Sequence, residues 1–255
     1  MILHLSDLHF GTEKPECLRA IEQFCKEQQP EAVVVSGDIT QRARLMQFVN
    51  CKHFLDGLNI PYLVVPGNHD IPLYNVWNRF VSPFRFYQFF FKELEPTLET
   101  EHFFIIGVNS VRPRYHTKGH ISLEQIQRTD DLLKQAPADK LKLVVLHQPF
   151  YTSPGDPHGM EDSPVLAKVA LNQWGKSGLN GLLHGHLHKS AVYNLTEVLA
   201  LDCDHNIYDI HAGTATSHRL YKNLPNGFNV ILNDGQVEFY TFDKLSKRFV
   251  LNHAR

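Results

Sequence analysis

Short, nearly all-apolar runs alternate along this chain with stretches in which apolar residues recur every three or four positions. The runs Ile2-Leu3-His4-Leu5, Ala32-Val33-Val34-Val35, Tyr62-Leu63-Val64-Val65, Leu143-Val144-Val145-Leu146 and Gly181-Leu182-Leu183 read as strands buried on both faces. Between the first two, Leu18, Ile21 and Cys25 share one face from Glu16 to Glu27, with Phe24 beside them, which predicts an amphipathic helix. A second helix is predicted from Arg42 to Leu58, with Leu45, Phe48, Val49, Leu55 and Leu58 inward. This βαβαβ rhythm predicts an α/β fold with a largely parallel sheet covered by helices.

Farther on, His102–Asn109 reads as a strand, and Ser122 with Gln125 forms a capping box opening a helix to Gln135. Strand Lys142–Leu146, a helix from Ser163-Pro164 through Trp174 and strand Leu179–Leu183 follow. The segments Ser190–Leu195, Val198–Leu201, Asp209–Ala212, Phe228–Leu232 and Val237–Phe242 read as short strands, with a hairpin turn at Asn233-Asp234-Gly235. This tail is expected to be antiparallel and to form a second sheet. Phe80, Phe84, Phe86, Tyr87, Phe89, Phe90 and Phe91 crowd one stretch, with Ser82-Pro83 as its N-cap and N1 pair. A helix apolar on nearly every side packs internally or is covered, as a lid, a homodimer face or a lipid contact through Phe80–Phe91. The Pro- and Gly-rich segment Tyr151–Asp162 is long for a connection and is expected to face substrate. With no repeat, low-complexity tract or linker, one domain spanning 1–255 is expected.

Composition narrows the partners. A chain of 255 residues with 43% hydrophobic content buries a full core. A net charge of -2 without a basic block gives no electrostatic case for nucleic acid. Cys17, Cys25, Cys51 and Cys203 lack C-x-x-C spacing and read as free thiols in a reducing compartment. Met1 leads straight into the first strand, leaving no room for a cleaved signal peptide, and no apolar run approaches the ~18 residues of a membrane span. A cytoplasmic protein is expected.

Each of the five apolar strands delivers N or O ligands at its C-terminal end, where open α/β sheets hold their ligands. They present Asp7 and His9, Asp38, Asn68-His69-Asp70, His147, and His186 with His188. Asp7 and His9 are two apart, so an extended segment puts both on one side; His186 and His188 share that spacing. Asp7, His9, Asp38, Asn68, His147, His186 and His188 exceed what one ion takes, but supply two ions if one carboxylate bridges. Paired ions ~3.5–4 Å apart suit in-line displacement at phosphorus. A mixed N/O set without thiolate points to Mn or Fe, with Zn or Co as alternatives. No P-loop is present. His69 is expected to be a proton donor, oriented by Asp70. The other eleven histidines, His4, His53, His116 and His205 among them, read as ordinary.

The ordered set Asp-x-His, Gly-Asp, Gly-Asn-His-Asp, His and Gly-His-x-His, from Asp7 to His188, resembles the calcineurin-like metallophosphoesterase superfamily. The resemblance implies a four-layer αββα sandwich: two mixed β-sheets flanked by helices. It implies one ion on Asp7, His9, Asp38 and His188, and another on Asp38, Asn68, His147 and His186. Asp38 would bridge, a hydroxide between the ions would attack phosphorus, and His69 would act on the leaving group. Leu5-Ser-Asp-Leu-His-Phe10 and Val65-Pro-Gly-Asn-His-Asp70 resemble bacterial class III cyclic-nucleotide phosphodiesterases. Gly37-Asp-Ile-Thr-Gln-Arg42 lacks the Asp-Arg-Gly of the Ser/Thr protein phosphatases, although Arg42 holds the arginine position. His69 stands where lipid A pyrophosphohydrolases usually carry Arg. A small phosphodiester, cyclic nucleotides included, is the expected substrate. Nucleotide-diphosphate or UDP-sugar-lipid hydrolysis, phosphomonoester hydrolysis, protein phosphatase activity and a non-enzymatic scaffold are the alternatives. Arg42, Arg112 and Arg219 are candidate phosphate contacts.

Overall fold

The computed structural model describes residues 1–154, 156 and 159–252. Its strands are β1 (Ile2–Leu5), β2 (Ala32–Val35), β3 (Tyr62–Val64), β4 (Thr97–Glu99), β5 (Phe103–Gly107), β6 (Leu141–Val145), β7 (Gly181–His184), β8 (Ala191–Asn194), β9 (Tyr208–His211), β10 (Gly227–Ile231), β11 (Val237–Asp243) and β12 (Arg248–Leu251). The α-helices are α1 (Pro15–Gln28), α2 (Leu45–Gly57), α3 (Val76–Val81), α4 (Arg85–Phe91), α5 (Leu123–Gln135), α6 (Ala167–Lys176) and α7 (Leu195–Val198).

Two six-stranded mixed sheets run in the orders β12-β11-β10-β1-β2-β3 and β4-β5-β6-β7-β9-β8. Period-two alternation assigns each strand two buried faces. Leu3, Leu5, Val33 and Val35 turn toward a core with Ile21, Phe24, Phe48, Cys51 and Leu55 of α1 and α2. Ile2, Val34 and Leu63 turn the other way and meet Ile105, Leu143, Val145, Leu183 and Ile210 of the second sheet. That sheet's outer face packs Val144, Leu146 and Leu182 against Ile126, Leu133, Leu171 and Trp174 of α5 and α6. Helix, sheet, sheet, helix is the expected four-layer αββα sandwich. No helix among the described residues is long and apolar enough to cross a membrane.

The tail departs from expectation. β10 pairs antiparallel with the free edge of β1, and β11 and β12 extend that first sheet. β9 joins the other sheet, parallel to β7. The tail therefore completes both sheets rather than building one of its own. Val198–Leu201 is no strand: α7 ends there, and Ala200 turns the chain in a left-handed conformation. α2 starts three residues later than expected, because Ala43 is left-handed and Arg44 is the extended N-cap. Its buried face is Phe48, Cys51, Phe54 and Leu55, whereas Leu45 is exposed and Val49 and Leu58 are half-buried. α6 likewise begins at Ala167, after a turn at Pro164.

The aromatic stretch is two short helices. Ser82 caps the C-terminus of α3 instead of starting a helix, since Pro83 has no N–H to continue the ladder. α4 turns inward: Tyr87 is fully buried and donates its hydroxyl to the Val64 carbonyl at 2.8 Å, and Phe90 stacks over Phe48. Phe80 and Phe89 remain 61% and 67% exposed. Tyr87→Ala is expected to lower stability by about 3–5 kcal/mol and Phe89→Ala by under ~0.5, read from denaturant melts. Equal losses would contradict this division of the two faces.

Candidate metal centre

The loops after β1, β2, β3, β6 and β7 meet along one edge of the inter-sheet seam. The Asp7 N–H donates to the Gly37 carbonyl (3.1 Å) and the His9 N–H to the Asp38 carbonyl (2.9 Å), locking the first two loops together. Asp7, His9, Asp38, His186 and His188 all have left-handed φ, between 46° and 70°. The two-apart pairs thus converge through left-handed bends and not through the extended backbone expected. Such a conformation costs about 1 kcal/mol or more per residue and is held only where surroundings over-determine it.

The side chains form overlapping clusters of buried and half-buried ligand atoms. Asp7, His9 and His188 make one, and Asp7, Asp38 and His147 another. His9 Nε2 lies 3.1 Å from His188 Nε2 and 3.7 Å from one oxygen each of Asp7 and Asp38. His147 Nε2 lies 3.1 Å from Asn68 Oδ1 and 3.4 Å from Asp38 Oδ2, and His186 Nδ1 is 3.1 Å from the same Asn68 oxygen. All seven expected ligands are therefore brought together. A third cluster joins His9 and Asp38 to His69, which also stands within ligand reach.

Outer contacts settle which nitrogens face inward. His147 Nδ1 donates to the Ser36 carbonyl (2.8 Å) and His188 Nδ1 to the Arg219 carbonyl (2.6 Å), which turns each Nε2 toward the centre. His186 turns Nδ1 inward, while Nε2 meets Asp162 Oδ2 at 2.9 Å. Asp162, at the end of the predicted substrate loop, is a supporting carboxylate that sequence reading missed. Residues 155, 157 and 158 of that loop lie outside the described residues.

These contacts test whether ions fit. His147 Nε2, Asn68 Oδ1 and Asp38 Oδ2 converge, and a cation there would displace the proton that the aspartates hold on His147. Asp7 Oδ1 is fully buried and faces His188 Nε2 at 3.1 Å. Donors ~2.1 Å from a common ion stand about 3.0–3.4 Å apart, close to the spacings found. The field agrees. Burial pulls His147 down, yet the charges of Asp38 and Asp7 raise it to about 9. Burial likewise works against the charged forms of Asp7 and Asp38, but the neighbouring His188 and His147 hold both carboxyls below the usual range. The pocket attracts positive charge, and the residues fit a dinuclear metal site.

Close approach of the loops depends on missing side chains. A Cβ on Gly67 would stand 2.1 Å from the Asp38 backbone nitrogen, and one on Gly37, which has φ +98°, would meet the His147 ring at 2.5 Å. Asp70 has a different task from the one expected. It does not touch His69; its carboxylate accepts from the N–H groups of Ile39, Thr40 and Gly67 and from the Thr40 hydroxyl, at 2.8–3.2 Å. Burial and the charge of Asp38 push its carboxyl up to about 7, while these donors pull it down. His69 is oriented instead by the Gln41 carbonyl, to which its Nδ1 donates (2.9 Å), and its backbone N–H holds Asp38 Oδ1 (2.8 Å).

The three arginines separate. Arg219 reaches the site, its Nη1 donating to His69 Nε2 at 3.1 Å. Arg42 lines a recess beside His69, its guanidinium over the Tyr74 ring. Arg112 is elsewhere: it donates to the carbonyls of Asn109 and Val111 and to Gln125, and so secures the start of α5. A cleft of about 530 Å³ runs along the metal centre, lined by Asp38, His186, His188, His218, Arg219 and Tyr221. His4, His184 and His211 are not ordinary. Buried Asp209 meets His184 Nε2 at 2.7 Å and His211 Nε2 at 3.0 Å beneath the centre, and His4 Nε2 donates to Ser36 Oγ.

A two-sheet αββα sandwich with clustered acid, amide and imidazole ligands at its strand ends defines a metal-dependent phosphoester hydrolase. Residues 1–190 match the calcineurin-like phosphoesterase family model, and the chain belongs to that family. It is similar to a probable cyclic nucleotide phosphodiesterase of Ruthia magnifica, with 27% identity over 77% of this chain and 79% of that one. In fold it resembles the purple acid phosphatase PPD1 of yellow lupin seeds (TM-score 0.70, 12% identity), covering 98% of this chain and 52% of that one. A dimetal phosphatase from Danio rerio superposes with a TM-score of 0.62 at 11% identity, covering 95% and 92% of the two chains.

Proposed function

We propose that this chain hydrolyses small phosphodiesters, using one ion on Asp7, His9, Asp38 and His188 and a second on Asp38, Asn68, His147 and His186. The observation that carries the diester reading is a cleft with two arms. The arm along the metal centre and a second one of about 170 Å³ share Asn68, His69 and Thr117, so each arm can take one of two ester substituents. The name of the Ruthia relative puts 3′,5′-cyclic nucleotides on the panel to be tried.

Bound ions, Mn or Fe by preference, would supply Lewis-acid neutralisation of charge on the phosphoryl oxygens. The rest falls to the chain. With Nδ1–H committed to Gln41, Nε2 is the atom of His69 that, after taking a proton from water once Arg219 has left it, would pass that proton to a departing alkoxide. Arg219 donates to that same Nε2 until substrate enters, and its guanidinium is then placed to move onto a phosphoryl oxygen. His69→Ala is expected to retain both ions, measured by metal analysis, and to lose ~10²–10⁴-fold in kcat on dialkyl phosphates. On bis(4-nitrophenyl) phosphate, whose aryl oxide needs little protonation, the loss should be far smaller. Equal losses on both would make His69 a positioning group, and a lost ion would make it a ligand.

A further inference from the structure

The second arm has a chemistry of its own. Arg42 is half-buried at its wall, and its guanidinium rests 5.5 Å from the centroid of Tyr74 with no carboxylate partner among the described residues. Behind it, Arg79 is only 5% exposed. Its guanidinium donates to the carbonyls of Pro72, Pro113 and Tyr115, three contacts from a group with five N–H donors. His116 completes this polar wall, and no Asp or Glu among the described residues lines the arm. Two guanidiniums lining one recess give it a positive wall that suits an anion. The ring of Tyr74 and the three carbonyls hold them in place beforehand, which lowers the entropy lost on binding.

We infer that this arm is a second anion site, taking a negatively charged group carried by the departing half of the substrate. The inference rests on the diesterase reading and narrows it. His69 lines both arms, so an ester oxygen leading into the second arm lies beside the ring that would protonate it. The departing half holds a phosphate, phosphonate or carboxylate against Arg42 and Arg79. Linear diesters with such a departing alcohol are preferred over 3′,5′-cyclic nucleotides, whose departing oxygen stays on the same ribose.

The test compares methyl 3-phosphonopropyl phosphate with methyl 3-hydroxypropyl phosphate on the metal-loaded protein. Direct binding of 3-hydroxypropylphosphonate, the departing alcohol itself, is measured by calorimetry. The wild type should favour the phosphonate diester by about 10- to 100-fold in kcat/KM, mainly through KM, as a charge-assisted contact requires. Arg42→Gln should bring that ratio close to one and weaken phosphonate binding by a similar factor. Arg42→Lys should keep part of the preference, because it keeps the charge and loses the fork. Equal kcat/KM for the two diesters in the wild type, or phosphonate binding indifferent to Arg42→Gln, overturns the inference. Failure of the diesterase reading looks different: neither diester, nor bis(4-nitrophenyl) phosphate, is turned over with metal. Phosphonate binding that still depends on Arg42 would in that case uphold the anion site alone.

Discussion

Asp38→Ala is expected to lower metal-dependent turnover by ~10⁴-fold or more, roughly 5–6 kcal/mol of transition-state stabilisation. The carboxylate sits in two of the three donor clusters, with Oδ2 within 3.7 Å of both His9 and His147. Its Oδ1 meanwhile accepts from the His69 N–H. Removing it takes a donor from each proposed ion at once. It also leaves His9 and His147 facing one another without the charge between them. Metal analysis of the dialysed variant should show losses at both positions, whereas His188→Ala should spare one. A variant that keeps two ions per chain and turns over near the wild-type rate would remove Asp38 from the centre.

A large effect on stability is also expected at Asp70. Asp70→Ala strands the backbone N–H groups of Ile39, Thr40 and Gly67 and the Thr40 hydroxyl, where Asp70 itself is 1% exposed. Each unsatisfied buried donor costs about 1–3 kcal/mol. Partial relaxation of the loops brings the total to roughly 4 kcal/mol, a fall in Tm of about 8–16 °C for a chain of this size. Metal affinity should fall with it, because the same carboxylate ties the Asp38 loop to the Gly67 loop. An unchanged melting temperature would mean that water or a shifted side chain satisfies these donors, and the clamp would then carry no weight.

The contrast between these two aspartates shows what the sequence made legible. Asp38 announced itself as an acid directly after the apolar strand β2. Asp70 looked like a partner for its neighbour His69, but what it binds are chiefly backbone N–H groups, those of Ile39, Thr40 and Gly67, and every residue type but proline has one. The same holds for the carbonyls of Ser36, Gln41 and Arg219 that orient His147, His69 and His188. The inner strands were readable because both of their faces are buried. β4 and β12 were not, being short edge strands with exposed positions. Nor could pattern alone show that β10 would pair with β1: alternation predicts a strand, and its partner depends on which edge the rest of the chain leaves open. The buried set of His4, His184, Asp209 and His211 escaped for a related reason. Its members come from three strands of two sheets, and adjacency there is a product of the sandwich.

The donors are divided between the two halves of that sandwich. Asp7, His9, Asp38 and Asn68 follow strands of one sheet, while His147, His186 and His188 follow strands of the other. Apolar side chains such as Ile2, Val34, Val145 and Ile210 fill the space between, and an oily interface resists separation better than it resists sliding. The polar ties at its rim, His147 to the Ser36 carbonyl and the His186 N–H to Asp7, act as pins against that slide. Ions gripped from both sides would work as rivets through the same joint. Shear between the sheets and the grip on metal are then one mechanical property: whatever loosens the joint, even far from the cleft, pulls the donor set apart along the line where it was assembled.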